Sequence, residues 1–202
     1  DIDLDTIDKN NIGVILGTGI GGVETFEAEH SKLLNRGPNR VSPLFIPMMI
    51  SNMGTAQISM NLGLKGSTMT ITTACASGTH AIGESFMMIK SGQMDMVLTG
   101  GAEASITPIS VAGFCSMKAL STRNDDYDKA CRPFDKERDG FIMGEGAGVL
   151  VLEELNHALN RGATIDGEIV GYGSTSDAFH ITQPDPEAIG ATNAMRLALE
   201  DA

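Results

Sequence analysis

No stretch of the 202-residue chain runs for the roughly 18 apolar residues that a membrane-spanning helix requires, because Gly, Ser, Thr and Asn interrupt every uncharged segment. The first residues hold no basic stretch followed by an apolar one, so no secretory signal is visible. Cysteine is scarce: Cys75, Cys115 and Cys131 are an odd number with no C-x-x-C pair. That usage argues against a disulfide framework and a structural zinc site, and fits a reducing, cytoplasmic setting. None of the four histidines is spaced as a metal pair, so no metal is expected. Positive charge is short as well. Lys and Arg number 14 against 26 Asp and Glu, for a formal charge of −12. Repulsion by phosphate then speaks against nonspecific binding of nucleic acid or of an anionic membrane. What remains, 42% hydrophobic and 20% charged residues, describes a soluble globular chain rather than a disordered, collagen-like or coiled-coil one. No internal repeat or low-complexity tract is evident.

Acidic residues are missing from one region altogether. Between His30 and Gly83 there is no Asp or Glu, whereas Lys32, Arg36, Arg40 and Lys65 give a local charge of +4. Two readings stay open: a Met-rich interior with a few solvated basic side chains, or a docking surface for an acidic partner.

Apolar periodicity alternates between strand and helix types. Strands are expected at Asn11–Leu16, Ser67–Thr73, Met94–Thr99, Ala147–Leu152 and Glu168–Tyr172. Helices are expected at Gly22–Leu34, Pro47–Asn61, Ser77–Ser91, Thr107–Met117, Glu153–Asn160 and Pro186–Ala202, with a long polar loop over Ser121–Gly140. The alternation predicts an α/β fold with a largely parallel sheet covered on both faces. The final helical pattern still runs at Ala202 without a Gly or Asn cap, and a polar lead opens directly into a central-looking strand, so a fragment is expected.

Gly17-Thr18-Gly19-Ile20-Gly21-Gly22 satisfies G-x-G-x-x-G between a strand and a helix. A dinucleotide site also needs an acidic residue about 20 positions on, and the acid-free region denies it one. The glycines are better explained by turn positions with φ > 0 and by close packing. Asp125, Asp126 and Asp128 lack the Gly and terminal Glu of a calcium loop and read as a solvated acidic surface.

Thr72-Thr73-Ala74-Cys75-Ala76-Ser77-Gly78 places a cysteine where a β-branched strand passes into a helix of small residues. Free N–H groups and the macrodipole at such a position favour a thiolate and can donate to an oxyanion. Packing is the competing explanation for a cysteine at a strand end. His80 falls about 140° around the helix from Cys75 and points away from it. His180 follows the last expected strand and could line a site in space.

Thr73-Ala74-Cys75-Ala76-Ser77-Gly78, Gly100-Gly101-Ala102-Glu103, Ala119-Leu120-Ser121, Arg132-Pro133-Phe134-Asp135, Arg138-Asp139-Gly140-Phe141 and Gly144-Glu145-Gly146-Ala147-Gly148 together resemble the β-ketoacyl-[acyl-carrier-protein] synthases of fatty-acid synthesis. The form around Cys75 is most similar to the type II branch, and less to polyketide ketosynthases. The resemblance runs from Ile12 to Ala202. It implies a thiolase-like α/β fold of mixed sheets covered by helices, present here incompletely. Residues 1–163 would be the N-terminal half without its first strands, and 164–202 the start of the C-terminal half.

In that family the cysteine, here Cys75, takes an acyl group as a thioester, and decarboxylation of malonyl-carrier protein supplies the carbanion that attacks it. No cofactor is implied beyond the phosphopantetheine of acyl carrier protein, on which the substrates ride. The resemblance carries acyl-pocket roles to Ile20, Ala74 and Phe114, and to Phe45 across a homodimer. It places His180 at the pantetheine mouth with Thr182, and Arg36, Arg40 and Lys118 on the surface that docks the carrier protein. The family's two catalytic histidines and active-site lysine match no position of this chain, which alone is therefore expected not to turn over. A polyketide ketosynthase, or a non-catalytic carrier-binding fragment, stays open as an alternative.

Overall fold

A computed structural model describes residues 2–202. Its centre is β1 (Ile12–Gly17), buried at every position. The strand pairs in parallel with β2 (Thr68–Ile71) on one side and β3 (Met96–Glu103) on the other. β4 (Gly146–Glu153) joins β3 antiparallel, giving the order β2-β1-β3-β4. The long segment after β3 begins and ends at the same edge of the sheet, so β4 needs no crossover and runs back.

Strand alternation divides β1 and β3 between two cores. Ile12, Val14 and Met96 pack with Leu64 and with Ile58 and Leu62 of α3 (Met53–Leu62). Ile15 and Val97 pack with Ala81, Met88 and Ile89 of α4 (Ser77–Lys90) on the opposite face. Each such aliphatic side chain contributes about 1.5–3 kcal/mol by leaving water. The covering of both faces therefore matches the expectation from sequence, although β4 differs. Val149, Leu150 and Val151 are 48%, 49% and 47% exposed on alternating faces of that strand.

The helix expected over Pro47–Asn61 forms as two pieces, α2 (Phe45–Met49) and α3. Ile50 is extended between them, and the Met49 carbonyl accepts the Gly22 N–H at 3.1 Å. The break thus gives the glycine loop a partner. α1 (Val23–Arg36) ends at Gly37, whose φ of 80° and N–H bond to the Leu33 carbonyl close it off. Thr107 caps α5 (Pro108–Ser116), and α6 (Leu155–Asn160) follows β4 directly. Glu153, where β4 meets α6, is held below the usual carboxylate range by the Arg161 guanidinium and further by His157.

No strand forms at Glu168–Tyr172. Gly171 and Gly173 lie against the backbone of α7 (Ile189–Asp201), where any Cβ would clash, and the Tyr172 ring packs on Gly83 of α4. The Tyr172 N–H donates to the Asp201 carboxylate at 3.2 Å instead of to a neighbouring strand. Lys90 also bonds Asp201, so the ends of α4 and α7 are tied.

The polar excursion over residues 121–140 is a loop with one 3₁₀ turn, Tyr127–Lys129. Its two ends are stapled. Asp139 accepts from Ser121 Oγ at 2.7 Å, Thr122 N at 2.9 Å and Arg132 at 3.1 Å. Bonding to Ser121 foremost, and then to the Thr122 amide, lowers the Asp139 pKa from 3.8 to about 2. A depressed carboxylate stabilises the fold above its unfolded pKa and stops doing so as pH falls through the folded one. Loop closure is therefore expected to weaken between pH 3.8 and about 2. Replacing Asp139 with Asn should remove this part of the pH dependence of Tm. Thermal melts of both proteins across that range check it, and parallel curves would contradict it.

Candidate active site

The glycine loop, the cysteine turn and Glu103 gather at the carboxyl end of the parallel strands. β1 runs into the glycine loop, β2 into the Cys75 turn, and β3 ends at Glu103. The register Gly17↔Ile71 and Gly17↔Gly101 brings these three ends level. Open α/β sheets bind ligands at this edge.

Glycines allow α4 to start very close to the sheet. A Cβ on Gly17 would overlap the Ser77 and Gly78 backbone, and one on Gly101 would come within 3.3 Å of Gly78 Cα. Ala74 is left-handed at φ 51°, an uncommon conformation for a residue with a Cβ. Ser77 holds it there. Its Oγ donates to the Ala74 carbonyl at 2.6 Å and accepts the Thr73 N–H at 2.8 Å, and the residue is only 3% exposed. The turn between is thereby fixed from both sides, with Cys75 exposed and free at its apex, two residues before α4 begins.

The His80 ring is engaged by two hydroxyls. Its Nδ1 is hydrogen-bonded to Thr73 Oγ1 at 2.7 Å, and its Nε2 lies 3.3 Å from Ser174 Oγ. The imidazole joins the strand leading to the cysteine with the segment before α7.

The glycine loop is filled from within. Glu103 accepts from the Gly19, Ile20 and Gly21 amides and from Thr18 Oγ1. A nest of N–H groups that could have cradled a phosphate therefore holds a carboxylate, in accord with the reading against a nucleotide. Gly21 has φ 82°, the turn position expected of a glycine. Beside the loop is a cavity of about 530 Å³ lined by Thr18, Gly22, Met48, Ile50, Glu103 and Glu145. Gly19 lies against Ala74 of the cysteine turn, and Cys75 is not among the residues that line this cavity.

The other residues singled out by sequence are more scattered. Ile20 is exposed on the glycine loop. Phe45 opens α2 with its ring 6.2 Å from that of Phe26, and Phe114 of α5 meets Phe141 edge to face at 5.1 Å. His180 is exposed, and its Nδ1 accepts the Thr182 and Gln183 amides, both at 3.1 Å. It lines a separate open cleft of about 620 Å³ formed by 175–181. Arg36 ends α1, Arg40 lies on the next turn, and Lys118 follows α5 with φ 55°. None of the three pairs with a described carboxylate. Among the described residues no group of three His, Cys, Asp or Glu could hold a metal ion, and no helix is long and apolar enough to cross a membrane.

Sequence reasoning gave no role to Ser77 or Glu103. Both stood inside quoted motifs, but their partners follow from folded geometry. Glu103 reaches a loop 82 to 85 positions earlier in the chain.

Residues 1–158 match the β-ketoacyl synthase N-terminal domain. The chain is 54% identical over its whole length to 3-oxoacyl-[acyl-carrier-protein] synthase 2 of Staphylococcus aureus, and 52% identical over 198 residues to the enzyme of the same name from Synechocystis. It covers 49% and 48% of those two proteins, and so spans about half their length. Among solved structures, a β-ketoacyl synthase from Burkholderia phymatum superposes with a TM-score of 0.87 at 40% identity, covering 98% of this chain and 48% of that one. A type II polyketide ketosynthase in complex with its acyl-carrier protein superposes at 0.95 with 30% identity, covering 99% of this chain and 50% of that one. The fold is thiolase-like, as these neighbours are ketosynthases with that architecture. With its cysteine turn, stapled glycine loop and mixed sheet, the chain belongs to the β-ketoacyl synthase family.

Proposed function

We propose that Cys75 is the acyl-accepting nucleophile of a 3-oxoacyl-[acyl-carrier-protein] synthase that elongates fatty acyl chains. The observation that carries this reading is the exposed thiol at the apex of a turn fixed by Ser77, directly before α4. Its thiolate attacks the thioester carbonyl of acyl carrier protein, the carrier leaves as its thiol, and an acyl-Cys75 thioester remains. The Cys75 N–H would contribute to the oxyanion hole. Malonyl-carrier protein then loses CO₂, and the resulting carbanion attacks the acyl-Cys75 carbonyl. The thiolate is released and a 3-oxoacyl chain two carbons longer forms on the carrier. Identity of 54% to a 3-oxoacyl-[acyl-carrier-protein] synthase 2, against 30% to the polyketide neighbour, favours the fatty-acid reading.

The substrates would ride on the phosphopantetheine of acyl carrier protein, with no further cofactor. Ile20, Ala74 and Phe114 would line the acyl pocket, joined by Phe45 across a homodimer. His180 and Thr182 would stand at the pantetheine mouth. Residues 1–163 and 164–202 would belong to the two thiolase-like halves. The setting would be cytoplasmic. Incubation of the full-length protein with acyl- and malonyl-carrier protein should release CO₂ and 3-oxoacyl product in equal amounts, whereas product-free incubation would overturn the reading.

Arg36, Arg40 and Lys118 would dock the acidic carrier, which supplies a purpose for the acid-free region. Reversing charge at Arg40 and Lys118 together should raise KM for carrier-bound substrates about tenfold, through weaker electrostatic attraction. Alkylation of Cys75 by iodoacetamide should be unchanged. Equal loss of both would show misfolding in place of lost docking.

A further inference from the structure

Four hydrogen bonds converge on one carboxylate that no step of the proposed reaction employs. Glu103 Oε2 accepts the Gly19 N–H at 2.6 Å and the Ile20 N–H at 3.0 Å, while Oε1 accepts from Thr18 Oγ1 at 3.3 Å and Gly21 N at 3.4 Å. Bonds from amides to an ionised acceptor are about twice as strong as neutral ones. The glycines make this approach possible, since a Cβ on Gly19 would stand 2.9 Å from Oε2.

The same position looks the other way onto the cysteine turn, with Ala74 O 3.7 Å from that Cβ site. Glu103 is the last residue of β3, and Gly101 of that strand is in register with Gly17 at the start of the loop. One strand thus grips the loop that lies against the cysteine turn. Ile20 projects from this loop with its side chain exposed and its backbone held by Glu103.

We propose that Glu103 is a positioning residue, anchoring Thr18–Gly21 so that Ile20 and the Gly19 backbone form a fixed wall for the acyl chain bound at Cys75. The role rests on the acyl-transfer reading. A long acyl chain must run along the wall, whereas a two-carbon one barely reaches it, so the effect of losing Glu103 grows with chain length.

The test uses the full-length protein and its Glu103→Ala and Glu103→Gln variants. Single-turnover acylation of Cys75 is measured with carrier-bound acetyl and tetradecanoyl groups, beside iodoacetamide alkylation and amide hydrogen exchange at Gly19 and Ile20. In Glu103→Ala, tetradecanoyl transfer should slow roughly tenfold relative to acetyl transfer, the loss of about one strong hydrogen bond from the bound state. Alkylation should stay within twofold of wild type, and the two amides should exchange faster. Glu103→Gln, which keeps the shape and one acceptor oxygen, should fall between. Equal slowing for both chain lengths in Glu103→Ala would overturn the proposal, as would a uniform loss that includes alkylation, since Glu103 would then support the fold alone. If the wild-type protein itself takes no acyl group at Cys75, the acyl-transfer reading fails. The anchor is still judged by exchange, where unchanged protection in Glu103→Ala refutes it.

Discussion

Replacing Cys75 with Ala is expected to abolish acyl-enzyme formation and to lower turnover of the full-length protein by about four orders of magnitude or more, the scale seen when a catalytic nucleophile is removed. The fold should survive, because the side chain is exposed and makes no hydrogen bond that the turn depends upon. The turn is held instead by Ser77, whose hydroxyl bonds Thr73 N and the Ala74 carbonyl. Cys115 and Cys131 are exposed as well, so exposure alone does not single out the nucleophile. What distinguishes Cys75 is the left-handed Ala74 before it and the start of α4 two residues after it. Alanine at Cys115 or Cys131 should leave acylation unchanged. Retained acyl transfer in Cys75→Ala, measured by intact mass after a single turnover, would place the chemistry elsewhere.

The second large effect concerns Gly17. A methyl group there meets the backbone of Ser77 and Gly78 rather than the end of a movable side chain. Neither β1, buried throughout, nor the first turn of α4 can give way cheaply. Gly17→Ala should therefore cost about 3 kcal/mol or more, at the upper end of overpacking effects. For a chain of this size that lowers Tm by roughly 6–12 °C. Since the displaced element carries the cysteine turn, Cys75 alkylation should slow as well. Gly113→Ala is the control. Its Cβ would meet nothing within 4 Å inside α5, so replacement should be neutral or slightly stabilising. A Gly17→Ala protein that melts with wild type would contradict the close packing of α4 on β1.

Much of this arrangement was legible in the residues. The apolar runs at β1 and β3 and the β-branched run at β2 located the parallel strands, because buried strands read as short apolar stretches whatever lies around them. The cysteine turn stood out as a reactive side chain between a strand and a small-residue helix. The glycine loop is legible as a strand-to-helix turn, with Gly21 at φ 82°. What could not be read is the occupant of that loop, since Glu103 arrives by strand register between β1 and β3 and not by local sequence. The break at Ile50 has a similar origin, as the Met49 carbonyl turns to meet Gly22 from another element. The alternation at Glu168–Tyr172 suggested a strand, but strands need partners. Here the glycines settle against α7, and the Tyr172 amide goes to Asp201. Local pattern reports what a segment can form, and the neighbours it meets decide.

The central claim, that Cys75 carries the acyl group, is tested most directly by peptide mapping. The full-length protein is mixed with acyl-carrier protein in the absence of malonyl substrate, quenched in acid and digested. The account predicts one acyl adduct per chain, on the peptide containing Cys75, and none on those containing Cys115 or Cys131. An adduct on another residue, or none at all with carrier protein shown to be acylated, would contradict it.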